Sequence, residues 1–307
     1  MGKISEKLDT FFLTFWFIWI ESFFHSIFLF IFISFSIQKQ HQNNNYSTII
    51  SIGNNPFAQL TSLKSIQLNN NDNFVFENDC LYDKNKTRLI NCLSNNKRTS
   101  FTIPATVKTI DSYSFCSSSL ESITIHDNIE EIGTYAFYLS NKLSIVQIGK
   151  NVKIIGANPF VNTPLLSEII ISDNNTFFKM VDGVLMDINQ TTIITYLKTK
   201  NNQHYDIPES VIKLNSNSFS RNLNIKSITI PSNVNYIASN AFLLCSNLQT
   251  ITFKGKKQPS TCHTTAFDST HPELVINVPN NYEGNTFCNK TVTKSLTSWW
   301  GKKKIQS

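Results

Sequence analysis

The chain has 307 residues, with 27 Lys and Arg against 21 Asp and Glu, and a formal net charge of +6. This length allows one large or two small domains, and a hydrophobic fraction of 41% is enough to bury a core. The positive charge is too small and too scattered to indicate a nucleic-acid-binding protein. We therefore expect a folded domain with an ordinary apolar core and no nucleic-acid partner.

The N-terminal part of the chain is strongly hydrophobic. After a short tail (1–10), the segment Phe11–Ile37 is almost wholly apolar, and a polar linker (38–48) follows it. As a helix this segment would measure about 40 Å, more than the ~30 Å of a bilayer core. Glu21 costs about 2.5–3.5 kcal/mol near mid-bilayer, which the surrounding aromatic residues can offset. We expect a hydrophobic helix that is an uncleaved transmembrane anchor or a cleaved signal peptide, and the third alternative is a soluble or mis-started N-terminus.

A set of apolar residues recurs beyond the linker, and a phenylalanine marks each copy. The markers are Phe115, Phe137, Phe160, Phe219, Phe242 and Phe267. Where the period is unbroken, their spacing is 22, 23, 23 and 25 residues, which is typical of a leucine-rich-repeat solenoid. Alternation such as Ile123-Thr124-Ile125 predicts short, half-buried strands. We predict a repeat domain over 49–290 with about seven coils of ~23 residues, followed by a C-terminal tail (291–307).

Two steps in the period are longer, and they identify a pair of matching inserts. Phe57 to Phe115 is 58 residues and Phe160 to Phe219 is 59. The extra segments, 69–102 and 172–206, align with each other at an offset of 104 for most pairs. Apolar runs flank a polar tip in each, which predicts a β-hairpin. We expect a duplicated module whose two hairpins project from one edge, with tips far from the phenylalanines.

The repeat resembles that of the BspA-like (treponemal-type) leucine-rich-repeat surface proteins. The residues that carry the resemblance are Phe242-Leu243-Leu244-Cys245-Ser246-Asn247-Leu248, the insert motif Asp182-Gly183-Val184-Leu185-Met186-Asp187 and the ending Val278-Pro279-Asn280-Asn281-Tyr282. The resemblance covers about 50–290. It implies a non-catalytic cell-surface recognition or adhesion protein that binds a protein or glycan on another cell or matrix. The alternative is a membrane-anchored interaction scaffold inside the cell or in an organelle lumen.

Catalytic and cofactor motifs are missing from the sequence. The six His share no fixed spacing with Ser, Cys or carboxylates, and Gly149-Lys150 lacks the upstream glycine of a phosphate loop. Cys262, His263, His271 and Cys288 fit no common zinc spacing. We therefore expect no enzyme activity, no cofactor and no metal.

The candidate binding positions are the exposed residues of the repeated strands. Since side chains alternate along a strand, residues between buried positions face solvent. These candidates are Gln67, Thr124, Gln147, Ile170, Thr229 and Thr252. They are nearly uncharged, which suits a sugar or protein surface better than a phosphate. The alternative is that they are only solvated strand residues.

Cysteines and glycosylation sequons carry the remaining predictions. Cys80 and Cys92 lie symmetrically about one hairpin tip, and Cys262 and Cys288 form a second candidate disulfide. Cys245 lies in the core column of the repeat and is expected to be a buried thiol. Asn85 and Asn189 begin sequons at the two hairpin tips, so they are the candidate glycosylation sites of an exported chain.

Overall fold

Short strands form all the regular structure of the described residues. The computed structural model describes residues 51–53, 57–58, 60, 63–68, 71–94 and 97–295. The hydrophobic segment Phe11–Ile37, the linker 38–48 and residues 296–307 lie outside these ranges. No helix is found within these ranges, and therefore they contain no helix long and apolar enough to cross a membrane.

The strands in chain order are β1 (Phe74–Glu77), β2 (Cys80–Asp83), β3 (Arg88–Cys92), β4 (Thr109–Ile110), β5 (Ser122–Ile125), β6 (Glu131–Ile132), β7 (Ile145–Ile148), β8 (Ile154–Ile155), β9 (Glu168–Ile171), β10 (Phe178–Val181), β11 (Val184–Asp187), β12 (Thr192–Tyr196), β13 (His204–Asp206), β14 (Lys213–Leu214), β15 (Ser227–Ile230), β16 (Tyr236–Ile237), β17 (Thr250–Phe253), β18 (Thr261–Cys262), β19 (Val275–Pro279), β20 (Thr286–Phe287) and β21 (Lys290–Ser295). β21 continues the solenoid to Ser295, so 291–295 belong to the sheet rather than to a separate tail.

The coils stack through two rows of parallel strands. The long-strand row contains β5, β7 and β9, and then β13, β15, β17, β19 and β21. The short-strand row contains β4, β6 and β8, and then β14, β16 and β18. Ser122 pairs with Ile145 and Ile145 with Glu168, so β5, β7 and β9 follow one another at 23 residues in sequence. The predicted leucine-rich-repeat solenoid is confirmed, with about eight turns of about 23 residues.

A column of stacked aromatic rings runs through the coils. We call the turn that carries each marker phenylalanine the Phe turn. The rings of Phe115 and Phe137 lie 5.2 Å apart and are nearly parallel, and Phe160 follows Phe137 at 5.5 Å. In the second half, Phe219 and Phe242 are 5.1 Å apart. Successive Phe turns are also joined through the backbone, as where the Phe115 N–H donates to the Ala136 carbonyl at 2.8 Å.

Each insert is a three-stranded antiparallel meander whose last strand joins the stack. β1, β2 and β3 pair antiparallel, and β3 then pairs parallel with β4. β10, β11 and β12 repeat this arrangement, and β12 pairs parallel with β14. Tyr196 at the end of β12 stacks on Phe219 at 5.2 Å, so this insert contributes a ring to the aromatic column. The inserts therefore complete the solenoid and add to its turns.

The second insert forms a two-faced plate between the two halves of the solenoid. Leu185 on β11 packs into the core cluster of the first half. Its neighbours Val184 and Met186 pack into the core cluster of the second half. This division follows from the alternation of side chains along a strand. The first insert repeats it, since Leu81 packs with partial coil 51–68 and Tyr82 packs with the following module.

The prediction that the inserts project from one edge of the solenoid is wrong for their strands, which lie in the core. The turns at Asn85 and Asn189 are exposed, as expected for tips. The strands that lead to these turns are among the most buried parts of the chain, and Leu81, Leu89 and Leu185 have no exposed surface. The reason is that β2 and β11 are apolar on both faces, a pattern that only a strand covered on both sides can keep.

Replacing Phe242 by Ala should lower the free energy of unfolding by about 3–5 kcal/mol, because the ring is fully buried and stacked between Phe219 and Phe267. Urea unfolding followed by circular dichroism measures the change. Phe177→Ala, at a ring that is 42% exposed, is the matched control and should cost under about 1 kcal/mol. A loss of less than about 1 kcal/mol for Phe242→Ala would contradict the stacking.

Replacing Met186 by Ala in the plate should cost about 2–5 kcal/mol, and the solenoid should still unfold in one transition. The reason is that side chains of the plate belong to both core clusters. If the plate unfolds, the apolar core of each half is exposed to water. Ile188→Ala, two residues further on and exposed, is the control. Two separate unfolding transitions in differential scanning calorimetry of the Met186 variant would show that the halves are independent.

Candidate functional site

The predicted binding column is divided by the plate into two short columns. On one side, Thr124 pairs with Gln147 and Gln147 with Ile170, and all three are exposed. The Thr124 hydroxyl donates to the Gln147 Oε1 at 3.0 Å. On the other side, Thr229 pairs with Thr252. Gln67 is exposed but lies outside any described strand, so the structure does not bring it into either column.

Thr229 differs from the exposed position that alternation predicts, since only 8% of its surface is accessible. Its neighbour on β13 is Asp206, which accepts a hydrogen bond from the Thr229 side chain. This bond, followed by contributions from His204 and Lys254, holds the pKa of Asp206 below its ordinary value. The alternation of side chains along one strand cannot predict that Thr229 is buried, because the residue that covers it, Asp206, lies on the adjacent strand.

A hydrogen-bonded histidine that the sequence did not reveal lies beside Thr229. The ring of His204 lies 2.7 Å from the Ser227 Oγ through Nδ1 and 3.0 Å from the Asp206 Oδ1 through Nε2. Ser227 is one coil from His204, so the 23-residue register of the repeat could have indicated this pair. These residue types occur in hydrolytic triads, but the His204 and Asp206 side chains are 52% and 72% exposed. Water screens such a group, which therefore serves better as a polar contact patch than as a nucleophile.

The long-strand row thus presents neutral hydroxyl and amide groups on one side of the plate and the His204 patch on the other. Two cavities lie elsewhere on the solenoid, away from the exposed residues of this row. One, of about 710 Å³, lies on the short-strand row between the two inserts and is lined by Asn85, Lys108, Glu130, Lys153 and Phe177 among others. A smaller one, of about 260 Å³, lies between Phe turns of the two halves. Neither includes the predicted column or His204.

Two disulfides lie near the two ends of the described solenoid. Cys80 is joined to Cys92 across β2 and β3, and Cys262 is joined to Cys288. Cys245 is a buried thiol that donates to the Phe219 carbonyl at 3.0 Å. Burial raises the pKa of Cys245 to about 12, so it stays protonated and poorly reactive at neutral pH. Among the described residues no group of His, Cys, Asp and Glu is arranged to hold a metal ion.

The two glycosylation candidates occupy equivalent exposed turns. Asn85 lies between β2 and β3, and Asn189 lies between β11 and β12. Each turn is fastened by the threonine of its sequon, since the Thr87 hydroxyl donates to Asp83 at 2.7 Å and the Thr191 hydroxyl to Asp187 at 2.8 Å. Both asparagines are therefore presented on ordered, solvent-facing turns.

Comparison with known proteins gives one family match. A sequence profile described as the BspA type leucine rich repeat region matches residues 87–181 and 187–297, with 6 copies of the repeat. No relative was found among curated proteins.

Solved structures of bacterial proteins also match parts of this chain. A leucine-rich repeat protein from Eubacterium ventriosum is 22% identical over 63% of this chain, with a TM-score of 0.46, and this chain spans 63% of that protein. The pneumococcal vaccine antigen PcpA is 18% identical, with 69% of this chain and 78% of that chain covered and a TM-score of 0.40. A leucine-rich repeat protein from Treponema pallidum is 15% identical, with 67% and 77% covered and a TM-score of 0.32.

The free energy of unfolding should rise between about pH 8 and pH 9, because burial lowers the pKa of Lys198 to about 8 in the folded chain. Arg221 lowers this pKa further and Cys245 opposes it. In this window the unfolded chain still binds the proton that the folded chain has released, so higher pH favours folding. Above about pH 9 the raised pKa of Cys245 opposes this rise, since the unfolded thiol then loses its proton while the folded thiol keeps it. Urea unfolding at several pH values measures the slope.

Lys198→Met should flatten this slope, and Lys226→Met, at an exposed lysine, should leave it unchanged. A slope that Lys198→Met does not alter would show that another group is responsible.

Proposed function

Because this chain belongs to the BspA-type leucine-rich-repeat family, we propose that it is a non-catalytic cell-surface recognition or adhesion protein that binds a protein or glycan partner. The observation that carries the proposal is the long-strand row of the solenoid. A solenoid of this kind presents an extended sheet surface made of one short strand from each coil. Such a surface serves recognition better than catalysis, since it supplies many equivalent shallow contacts.

The chemistry of the row favours a neutral, hydrogen-bonding partner. Thr124 and Gln147 offer a hydroxyl and an amide, and Ile170 adds an apolar contact beside them. Side chains of this kind make directional hydrogen bonds without a strong electrostatic field. They match the hydroxyl groups of a glycan or the backbone of a protein loop.

Display outside the cell is supported by three features of the chain. The hydrophobic segment Phe11–Ile37 suits a signal anchor or a signal peptide. Two disulfides suit an oxidising compartment, where such bonds persist. Asn85 and Asn189 lie in sequons on exposed turns, where an exported chain can carry glycans.

An antibody raised against residues 50–290 should label intact, unpermeabilised cells that produce the protein. Protease added to such cells should remove the epitope, because the proposal places the solenoid outside the membrane. Labelling only after permeabilisation would contradict surface display and favour the intracellular scaffold.

Cells that display the full chain should adhere to a panel of immobilised matrix proteins and glycans, and Thr124→Arg combined with Gln147→Arg should reduce adhesion at least about tenfold. The added bulk and charge would block the row without entering the core, since both positions are exposed. Thr106→Arg, at an exposed threonine that lines the larger cavity on the short-strand row, is the matched control. Loss of adhesion with Thr106→Arg alone would move the binding surface to the short-strand row.

A further inference from the structure

The smaller cavity has a lining unlike that of the strand rows. It measures about 260 Å³ and lies where Phe turns of the two halves approach each other. The first half contributes Tyr113, Tyr135 and Tyr138, and the second half contributes Asn217, Ser220 and Arg221. Clefts between two structural units are a preferred place for ligand sites. This volume lies just below the ~300 Å³ lower end of drug-sized sites, so it suits a ligand of about one sugar ring.

Two of the tyrosines occupy backbone positions that do not suit them. Tyr113 and Tyr135 have φ of 59° and 56°, in the left-handed region. At the corresponding place in three of the other Phe turns the chain has Asn158, Asn217 and Asn240, also with positive φ. Asparagine tolerates this conformation, whereas a bulky side chain is strained there. Because Asn would give the same turn with less strain, the tyrosine rings indicate a use beyond folding.

The tyrosine rings form a polar-edged aromatic surface. Tyr113 and Tyr135 are stacked with centroids 5.0 Å apart, and Tyr138 meets both edge-on. Burial, and then the neighbouring Tyr135, Cys116 and Tyr138, raise the pKa of Tyr113, so its phenol remains protonated at neutral pH. Such rings offer an electron-rich face to polarised C–H groups and a hydroxyl to polar ones.

Polar atoms in the cavity wall lack hydrogen-bond partners. Ser220 is only 2% exposed, and neither its Oγ nor the buried Oδ1 of Asn162 has a partner among the described residues. Both residues line the cavity. Buried polar groups are nearly always satisfied, and each that is left unpaired destabilises the fold. A ligand with several hydroxyl groups would satisfy them.

The cavity also has a positive charge at its solvent-exposed edge. Arg221 is its one charged residue, and none of the ion pairs formed within the described ranges involves Arg221. Lys198 is close enough for its pKa to be lowered by Arg221. A guanidinium pairs with a carboxylate through two parallel hydrogen bonds, which makes it a selective anchor for that group.

We propose that this cavity binds a sugar residue that bears a carboxylate, such as a sialic or uronic acid at the end of a glycan. Arg221 binds the carboxylate, the tyrosine rings pack against the C–H face of the sugar, and Asn162 and Ser220 bond its hydroxyls. This inference goes beyond the proposed function, because the cavity lies apart from the exposed residues of the long-strand row and binds a charged sugar. The aromatic rings and the unpaired polar atoms of Asn162 and Ser220 lie in one small cavity, which suits a compact ring with several hydroxyl groups better than an extended acidic peptide.

Isothermal titration calorimetry with the full chain in detergent tests the proposal with three probes, namely 3′-sialyllactose, a glucuronate-terminated disaccharide and lactose. At least one acidic sugar should bind about tenfold or more tightly than neutral lactose, since a charge-assisted pair is worth about that factor. The two acidic probes distinguish the two sources of the carboxylate. Failure of both to bind overturns the proposal, as does equal or tighter binding of an acidic hexapeptide.

The turns themselves supply variants that preserve the backbone. Tyr135→Asn places at this turn the residue found at 158, 217 and 240, which relieves backbone strain but removes the stack on Tyr113 and the hydrogen bond from the Asn158 amide, so circular dichroism is used to check that the variant keeps the fold. Binding of the acidic sugar should nevertheless weaken about tenfold. Arg221→Asn, which copies Asn162 of the equivalent turn position, should abolish the preference for acidic over neutral sugar.

Ser269→Asn, at the same turn position outside the cavity, is the control and should bind like the unaltered chain. Unchanged binding by both the Tyr135 and Arg221 variants overturns the site. If these variants abolish sugar binding but cell adhesion persists, the proposed function stands and recognition uses the long-strand row. If acidic sugars bind but cells that display the chain do not adhere, the proposed sugar site is supported and the proposed adhesion role is wrong.

Discussion

Each coil of this chain leaves an apolar face that it cannot cover alone, and stacking of the next coil provides the cover. The column of phenylalanine rings is the part of this contact with the strictest geometry, since rings such as Phe137 and Phe160 lie 5.5 Å apart and nearly parallel. The spacing of both strand rows follows from it, because each Phe turn is also bonded through its backbone to the next. The exposed faces of both strand rows are therefore held in place by contacts made inside the coils.

The plate formed by the second insert continues the packing of one coil on the next where the repeat period is interrupted. Its side chains alternate between two core clusters, with Leu185 in one and Met186 in the other. The solenoid consequently has a continuous interior, while its exterior is divided into two stretches of exposed strand. The cavity between the Phe turns arises at this division, where residues of both halves come together.

The sequence predicts well those features that depend on spacing along the chain. The 23-residue period, the alternation in strands such as Ile123-Thr124-Ile125 and the exposed tips at Asn85 and Asn189 are all local patterns. The family resemblance rests on the same patterns and is confirmed by the matched profile.

Features that depend on which side chains meet across coils were missed. The 204–206 segment belonged to an expected insert, so β13 and its cover over Thr229 were not foreseen. The inserts were expected to project because a period break suggests an excursion from the stack. Only the apolar pattern on both faces of β2 and β11 could have indicated burial instead. The cavity could not be predicted at all, since it requires the two halves to be placed relative to each other.

The two faces of the plate also bear on how long such a protein can be. One face receives the last coil of a module, and the other begins a new module with the same layout, as the partial coil 51–68 and Leu81 show at the first insert. The insert can therefore join two copies of the same module, because each of its faces packs against one of them. A gene that duplicated this stretch again would yield a longer rod without a new interface having to evolve. The length of the solenoid could then change in whole modules, independently of the side chains that the outermost module exposes.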